Sequence, residues 1–171
     1  MEQAQEKPMP KPNKPAWRKR ASCLIFNVST QQLLLVSSRR HSTDTNKSWI
    51  IPGGSIEETD DSPQACAMRE CEEESGIVPD GNCMAYLGEF IDPDRRTKTD
   101  TFAASRFVPG RPSVENRTHY WCPFLEVERH LAWRPTLLRM FESSRGFLQH
   151  FVDEQKQHQE GVATATTTAA Q

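Results

Sequence analysis

The sequence predicts one mixed α/β domain of the α+β kind, a mixed β-sheet core sandwiched by helices, and three observations lead there. Short apolar runs bounded by polar turns recur through the first half and again after Cys83. A single well-capped helix interrupts them, and apolar residues at helical spacing close the pattern. Strands and helices interspersed in 171 residues pack as layers around one core, with little chain left for a second domain.

Taken in order, Ala21–Val28 and Leu33–Ser38 read as strands joined by a polar turn at Ser29–Gln32. Trp49–Ile51 is a short strand that stops at Pro52-Gly53-Gly54. A helix follows over Pro63–Ser75: Asp61 or Ser62 caps its start, Pro63 suits the first turn, and Gly76 suits the C-terminal stop. Further strands are predicted at Met84–Ile91, Thr99–Phe107 and His119–Phe124. A helical stretch begins at Glu126, restarts at Pro135 and carries Leu137, Leu138 and Phe141 at helical spacing. The Pro- and Lys-rich residues 1–15 and the Gln, His and Ala-Thr run of 152–171 have little to bury and are expected to be disordered tails around a domain at 16–151.

Composition narrows the class. The five cysteines are odd in number and lack C-x-x-C spacing, which argues against a disulfide framework and a structural zinc site and for reduced, mostly buried thiols. No apolar run approaches the ~18–20 residues that span a membrane, and no hydrophobic segment of a signal peptide is present, so the expected location is the cytoplasm, with the nucleus also open. The net charge of −2 hides an asymmetry. Basic residues dominate from Met1 to Arg40, whereas between Glu57 and Glu74 Arg69 stands nearly alone among acids. A basic patch beside an acidic cluster suits an anionic ligand held next to a divalent cation.

The chemistry-bearing segment runs from Pro52-Gly53-Gly54 to Ile77. Glu70, Glu73 and Glu74 stand at i, i+3 and i+4, which places three carboxylates on one helix face. Like charges so arranged repel, a poor choice for stability alone, but an oxygen-rich cluster is what Mg²⁺ or Mn²⁺ prefers. Gly53 and Gly54 offer backbone that approaches a ligand or metal without a Cβ in the way. Arg69 is read as pointing from the other side of the helix, where it anchors Glu57 or Glu58. A bare E-x-x-E-E is as readily a solvated acidic face; the flanking residues decide.

Those flanks, Gly53-Gly54 on one side and Arg69-Glu70-Cys71-Glu72-Glu73-Glu74-Ser75-Gly76-Ile77 on the other, resemble the Nudix box, G-x₅-E-x₇-R-E-U-x-E-E-x-G-U with U aliphatic. Cys71 departs slightly at the first U. The stretch from Gly54 to Arg69 is one residue too long, with the surplus among Thr59, Asp60, Asp61 and Ser62, so the acid before the helix is Asp60 or Asp61. The resemblance implies the Nudix fold and a metal-dependent hydrolase of diphosphates linked to another moiety. By it, Glu70, Glu73, Glu74 and Gly54 hold Mg²⁺ (or Mn²⁺), Arg69 belongs to the catalytic set, Glu74 is the critical ligand, and Glu73 is the candidate to orient or deprotonate water.

The order Trp17–Cys23, Leu34–Arg39 and Trp49–Gly54 looks like the diphosphoinositol polyphosphate phosphohydrolases, a Nudix branch also active on diadenosine polyphosphates and inorganic polyphosphate. Arg18 and Arg20 alternate along a strand and face the same way. Ser37, Ser38 and Arg39 add hydroxyl and guanidinium donors, and Arg grips phosphate bidentately. By resemblance Arg95 or Arg96, Arg117 and Arg134 are later phosphate contacts, and Gly53 and Gly54 border the substrate.

The implied reaction converts a diphosphoinositol pentakisphosphate to inositol hexakisphosphate. The implied partner is a small anionic substrate for a monomer, with no membrane and no nucleic acid. The alternatives are a diadenosine polyphosphate hydrolase or endopolyphosphatase, and a non-catalytic inositol phosphate sensor, against which the intact glutamates speak. Adenine recognition wants an aromatic platform, and the sequence places none; Trp49 and Trp121 read as core, the histidines receive no role, and His41–Lys47 reads as a polar loop at the rim.

Overall fold

The computed structural model describes residues 16–39, 49–115 and 117–149. The two expected tails, the domain limit at 151 and the polar loop at His41–Lys47 lie outside these residues.

Strand β1 (Arg18–Asn27) organises the molecule, with every residue from Ala21 to Phe26 buried. A strand covered on both faces has no need of polar alternation. Its side chains point alternately to opposite sides: Ala21, Cys23 and Ile25 pack with Cys66, Ala67 and Cys71 of helix α1 (Pro63–Ser75). On the other face Leu24 and Phe26 pack with Val127 and Leu131 of α2 (Phe124–Leu131) and with Leu137, Met140 and Phe141 of α3 (Pro135–Ser143). The sheet is therefore sandwiched by helices, as the sequence predicts.

Around β1 stand β2 (Gln32–Ser37), β3 (Trp49–Ile50), β4 (Gly53–Ser55), β6 (Ala85–Asp92), β7 (Thr97–Ala104) and β9 (His119–Pro123). The main order is β3-β2-β1-β7-β6, with β4 also paired to β1 and β9 to β2. β1 and β7 run parallel, from Arg18 opposite Thr97 to Ile25 opposite Ala104. The other pairings in this sheet are antiparallel, which makes it mixed. A separate ribbon joins β5 (Ile77–Pro79) to β8 (Phe107–Pro109).

The structure corrects several boundaries. β1 begins at Arg18 rather than Ala21, because its ladder with β7 starts there and carries Arg18 and Arg20 into regular structure. Gly53–Ser55, expected only as the end of a strand, forms β4 against Arg20–Ser22. The expected strand Thr99–Phe107 divides into β7 and β8, since Phe107 leaves the sheet to pair with Pro79. Helix α1 has its expected limits: Ser62 Oγ accepts the Ala65 N–H at 3.1 Å, Pro63 occupies the first turn, and Gly76, at φ 73°, donates to the Glu72 carbonyl. Among the described residues no helix is long and apolar enough to cross a membrane.

Candidate active site

Helix α1 packs its apolar side on β1 and turns its acids toward β4. Glu74 is 1% exposed and Glu70 8%. One Glu74 oxygen, Oε2, accepts the Gly53 N–H at 3.1 Å; the other, Oε1, pairs with Arg117 Nη2 at 2.8 Å. The Glu70 carboxylate lies so close to Gly54 that a Cβ there would sit 1.8 Å from Oε1. Loss of hydration pushes Glu74 up to about 7 against the opposing pull of Arg117 and the Gly53 N–H. Glu70 is raised for the same reason, with Arg69 opposing.

Arg69 corrects the sequence reading twice. Its guanidinium does not leave from the far side of the helix: Nη1 donates to Glu70 Oε1 at 3.1 Å and Glu73 Oε2 at 3.0 Å. Its loop anchor is Asp60, which it grips through Nε and Nη2 at 2.9 Å each, and not Glu57 or Glu58. That grip holds the Asp60 carboxyl well below the usual carboxylate range. Asp60 stands where the Nudix pattern places its loop acid, counted from Gly54. The surplus residue therefore lies after Asp60, where Ser62 caps α1.

The donors fit Mg²⁺ or Mn²⁺ in kind: hard carboxylate oxygens, two of them buried with raised proton affinity, beside a glycine that leaves room for Glu70. In geometry they are held by arginines. Among the described residues no group of three or more His, Cys, Asp or Glu is gathered as a ready cation site. Arg69 bridges Glu70 and Glu73, and Arg117 holds Glu74.

Beside the acids opens a cleft of about 260 Å³ lined by Arg18, Arg20, Ser38, Arg39, Ile50, Arg95, Thr97, Arg117, Trp133 and Arg134. Six arginines from five parts of the chain thus face one space. Each is braced. Arg20 Nη2 donates to the Gly53 carbonyl at 2.7 Å, and Arg18 Nη2 to the Arg95 carbonyl at 3.4 Å. Asp92, 5% exposed, accepts the Arg95 N–H at 3.1 Å and faces Arg95 Nε at 3.7 Å and Arg134 Nε at 3.5 Å. Glu115 pairs with Arg39 and, at 2.7 Å, with Arg117 Nε. Burial, with Arg95 adding its charge, pushes Arg134 down to about 10, and burial lowers Arg20 as well. Such cations gain from a multiply charged anion.

Of the residues proposed from sequence, Arg18, Arg20, Ser38, Arg39, Arg95, Arg117 and Arg134 meet in this cleft. Of the alternatives Arg95 and Arg96, Arg95 lines the cleft, whereas Arg96 lies 5.5 Å over the Trp17 ring. Ser37 is off the wall; its carbonyl accepts from Arg117 Nη1 at 3.2 Å and its Oγ from the Thr118 N–H. Gly53 ties the two halves, with its N–H on Glu74 and its carbonyl on Arg20. Asp92, Glu115 and Trp133 were missed. The first two act through partners distant in sequence, and Trp133, with its Nε1 on the Trp49 carbonyl at 3.2 Å, supplies the aromatic wall the sequence could not place.

Two results follow from this geometry. Asp92→Asn keeps an oxygen for the Arg95 N–H but turns an amide donor or a neutral oxygen toward two guanidinium groups. Loss of one charge-assisted contact is worth about a tenfold rise in KM for a polyphosphate substrate, with kcat within about twofold; steady-state kinetics checks it. The second concerns pH. Folded Glu74 holds a proton that the unfolded chain, with its ordinary 4.5, releases sooner. Its stabilising share is complete below about pH 4.5 and is lost as pH rises through about 7, on the order of 3 kcal/mol. Denaturation of the metal-free protein across that window should show this decline in the wild type and not in Glu74→Gln.

Comparison with known proteins agrees with the fold and the box. The NUDIX domain model matches residues 16–144. Diphosphoinositol polyphosphate phosphohydrolase 2 of Mus musculus is 38% identical over 84 residues, 48% of this chain and 43% of that protein. Diphosphoinositol polyphosphate phosphohydrolase 3-alpha of Mus musculus is 38% identical over 88 residues, 50% of this chain and 49% of that protein. The matches thus span about half the length of these relatives or less. Among solved structures, one from a study of MutT from Aliivibrio salmonicida and Vibrio cholerae has a TM-score of 0.55 at 19% identity, covering 73% of this chain and 97% of that one. The E. coli ORF135 protein has a TM-score of 0.56 at 20% identity, covering 75% and 88%. At such identity the likeness speaks for fold alone. With the family model spanning most of the chain, the protein belongs to the NUDIX domain family and has the mixed α+β Nudix fold.

Proposed function

We propose that this protein is a hydrolase that cuts the phosphoanhydride bond of diphosphoinositol polyphosphates, as a monomer with Mg²⁺ as cofactor and Mn²⁺ able to replace it. The observation that carries the reading is the convergence of six arginines on a cleft whose Arg20 is tied through Gly53 to the acid helix. A ring bearing many phosphates needs several cations at once, and a braced arginine set supplies them with little ordering left to do. Glu70 and Glu74, with Gly54, would hold the divalent ion, which would polarise the diphosphate and favour attack by water. Glu73 has the most open side chain of the three helix acids, 35% exposed against 11% and 2% for Glu70 and Glu74, and suits the water-orienting or proton-accepting role. Water attacks the terminal phosphorus, the bond to the bridging oxygen breaks, and inositol hexakisphosphate and orthophosphate leave.

A second reading has its own support. Trp133 in the cleft wall is an aromatic residue of the kind adenine recognition uses, which favours diadenosine polyphosphates as substrates. Phosphate release from 5-diphosphoinositol pentakisphosphate with Mg²⁺, beside diadenosine hexaphosphate, separates the two. Faster turnover of the inositol compound supports the first reading. Activity on the dinucleotide alone replaces it with the second. Tight inositol phosphate binding with neither activity would make the protein a sensor.

A further inference from the structure

Arg117 belongs to both halves of the site. Its side chain lines the arginine cleft, yet Nη2 lies 2.8 Å from Glu74 Oε1, an oxygen of the most buried acid on α1. Its other contacts, Nε to Glu115 Oε2 at 2.7 Å and Nη1 to the Ser37 carbonyl at 3.2 Å, hold the guanidinium at that border. The remaining Glu74 oxygen is engaged by the Gly53 N–H. Arg69 differs: the Asp60 carboxylate grips it on two nitrogens and the Ser55 carbonyl accepts from Nη2, which fastens it to the loop. Among the described arginines of the cleft, Arg117 alone forms an ion pair with a helix acid, whereas Arg20 feels the charges of Glu70 and Glu74 without such a pair.

A buried carboxylate needs a counter-ion. Among the described residues Arg117 fills that role for Glu74, the acid that would help to hold a divalent cation. Helix α1 is anchored in the core by Cys66, Ala67 and Cys71, so Glu74 has little freedom to move away. Arg117 is held through Nε and Nη1, so Nη2 is the nitrogen that can change partners with a small turn of the guanidinium.

We infer that Arg117 is an exchangeable counter-ion of Glu74 that couples cation binding at the acid helix to phosphate binding in the cleft. A cation arriving at Glu74 releases Nη2 toward a phosphate, and a phosphate that draws Arg117 over frees Glu74 for the cation. Each ligand then tightens the other by the same factor. The inference rests on the reading of Glu74 as a metal ligand, and it makes Arg117 a residue whose removal improves metal binding.

The test is a Mn²⁺ titration of the whole chain, followed by the paramagnetic resonance signal of free Mn²⁺, with and without myo-inositol hexakissulfate as a non-hydrolysable polyanion. Arg117→Met is expected to bind Mn²⁺ about tenfold more tightly than the wild type, a size ordinary for coupled sites. Arg39→Met, which removes a cleft charge held by the same Glu115 but not touching Glu74, should change it by less than about twofold. Hexakissulfate should tighten Mn²⁺ binding in the wild type and do so much less in Arg117→Met. Unchanged or weaker Mn²⁺ binding by Arg117→Met overturns the inference, as does equal tightening in Arg39→Met, which would mean general charge. If Arg117→Met fails to fold, Arg117→Lys, which keeps the charge without the planar fork, is read in the same way and should fall between. Glu74→Gln separates the layers. Lost Mn²⁺ binding there with no effect of Arg117→Met sinks only the coupling. Equal Mn²⁺ binding by Glu74→Gln and the wild type sinks the metal site as well.

Discussion

Glu74→Gln is expected to lower phosphate release by about 10³-fold while the protein stays folded. The amide has the shape of the carboxylate, and its oxygen can still accept the Gly53 N–H. Arg117 retains Glu115 and the Ser37 carbonyl. What disappears is the charge, and with it a strong hard-oxygen ligand. Because the native carboxylate is buried and raised to about 7, the neutral amide is spared much of its desolvation, which offsets the amide NH2 now turned toward Arg117 Nη2. The melting temperature should therefore change little as activity collapses. Activity within tenfold of the wild type would remove Glu74 from the catalytic set.

Gly53→Ala should instead act on the fold. A Cβ at Gly53 would meet the Ala21 carbonyl oxygen at 2.5 Å and the Ser22 Cβ and Cα at 2.6 and 2.9 Å. These atoms belong to β1, buried on both faces between the helices, so β4 must yield. Yielding breaks the Gly53 N–H bond to Glu74 and the bond from Arg20 to the Gly53 carbonyl. A loss of about 3 kcal/mol is expected, the upper end for forced overpacking. Gly146→Ala is the control, since a Cβ there meets nothing within 4 Å in a helical segment; it should be neutral or stabilise by up to about 1 kcal/mol. Chemical denaturation of both variants checks the contrast.

What could be read from the sequence was what local rules encode. Helix α1 announced itself through Ser62, Pro63 and Gly76, and its acid face through residue spacing alone, because caps and periodicity depend on neighbours in the chain. β4 escaped notice because Gly53-Gly54-Ser55 carries no side-chain pattern; its pairing is fixed by Arg20–Ser22, far away in sequence. The ribbon of Ile77–Pro79 with Phe107–Pro109 escaped for the same reason. The cleft arginines were found partly by alternation on β1 and partly by resemblance. Asp92 and Glu115 gave no signal, since nothing local distinguishes an acid that braces an arginine from one that faces water. The choice of Asp60 over Asp61 likewise needed the turn before α1, which decides which carboxylate meets Arg69.

The acids all ride on one helix, whereas the cleft cations come from β1, the end of β2, the β6–β7 turn, the segment before β9 and the α2–α3 junction. This is a division of labour with consequences for inheritance. On the proposed reading, the carboxylates of bond cleavage ride on thirteen contiguous residues whose spacing tolerates little change, but substrate choice is distributed over five segments that can vary one at a time. On that reading, a substitution in any one of them except the Arg117 segment, which also touches Glu74, alters the welcome given to a particular phosphate without touching the acid helix. A lineage built on this plan can therefore drift from one polyphosphate to another through a series of active intermediates.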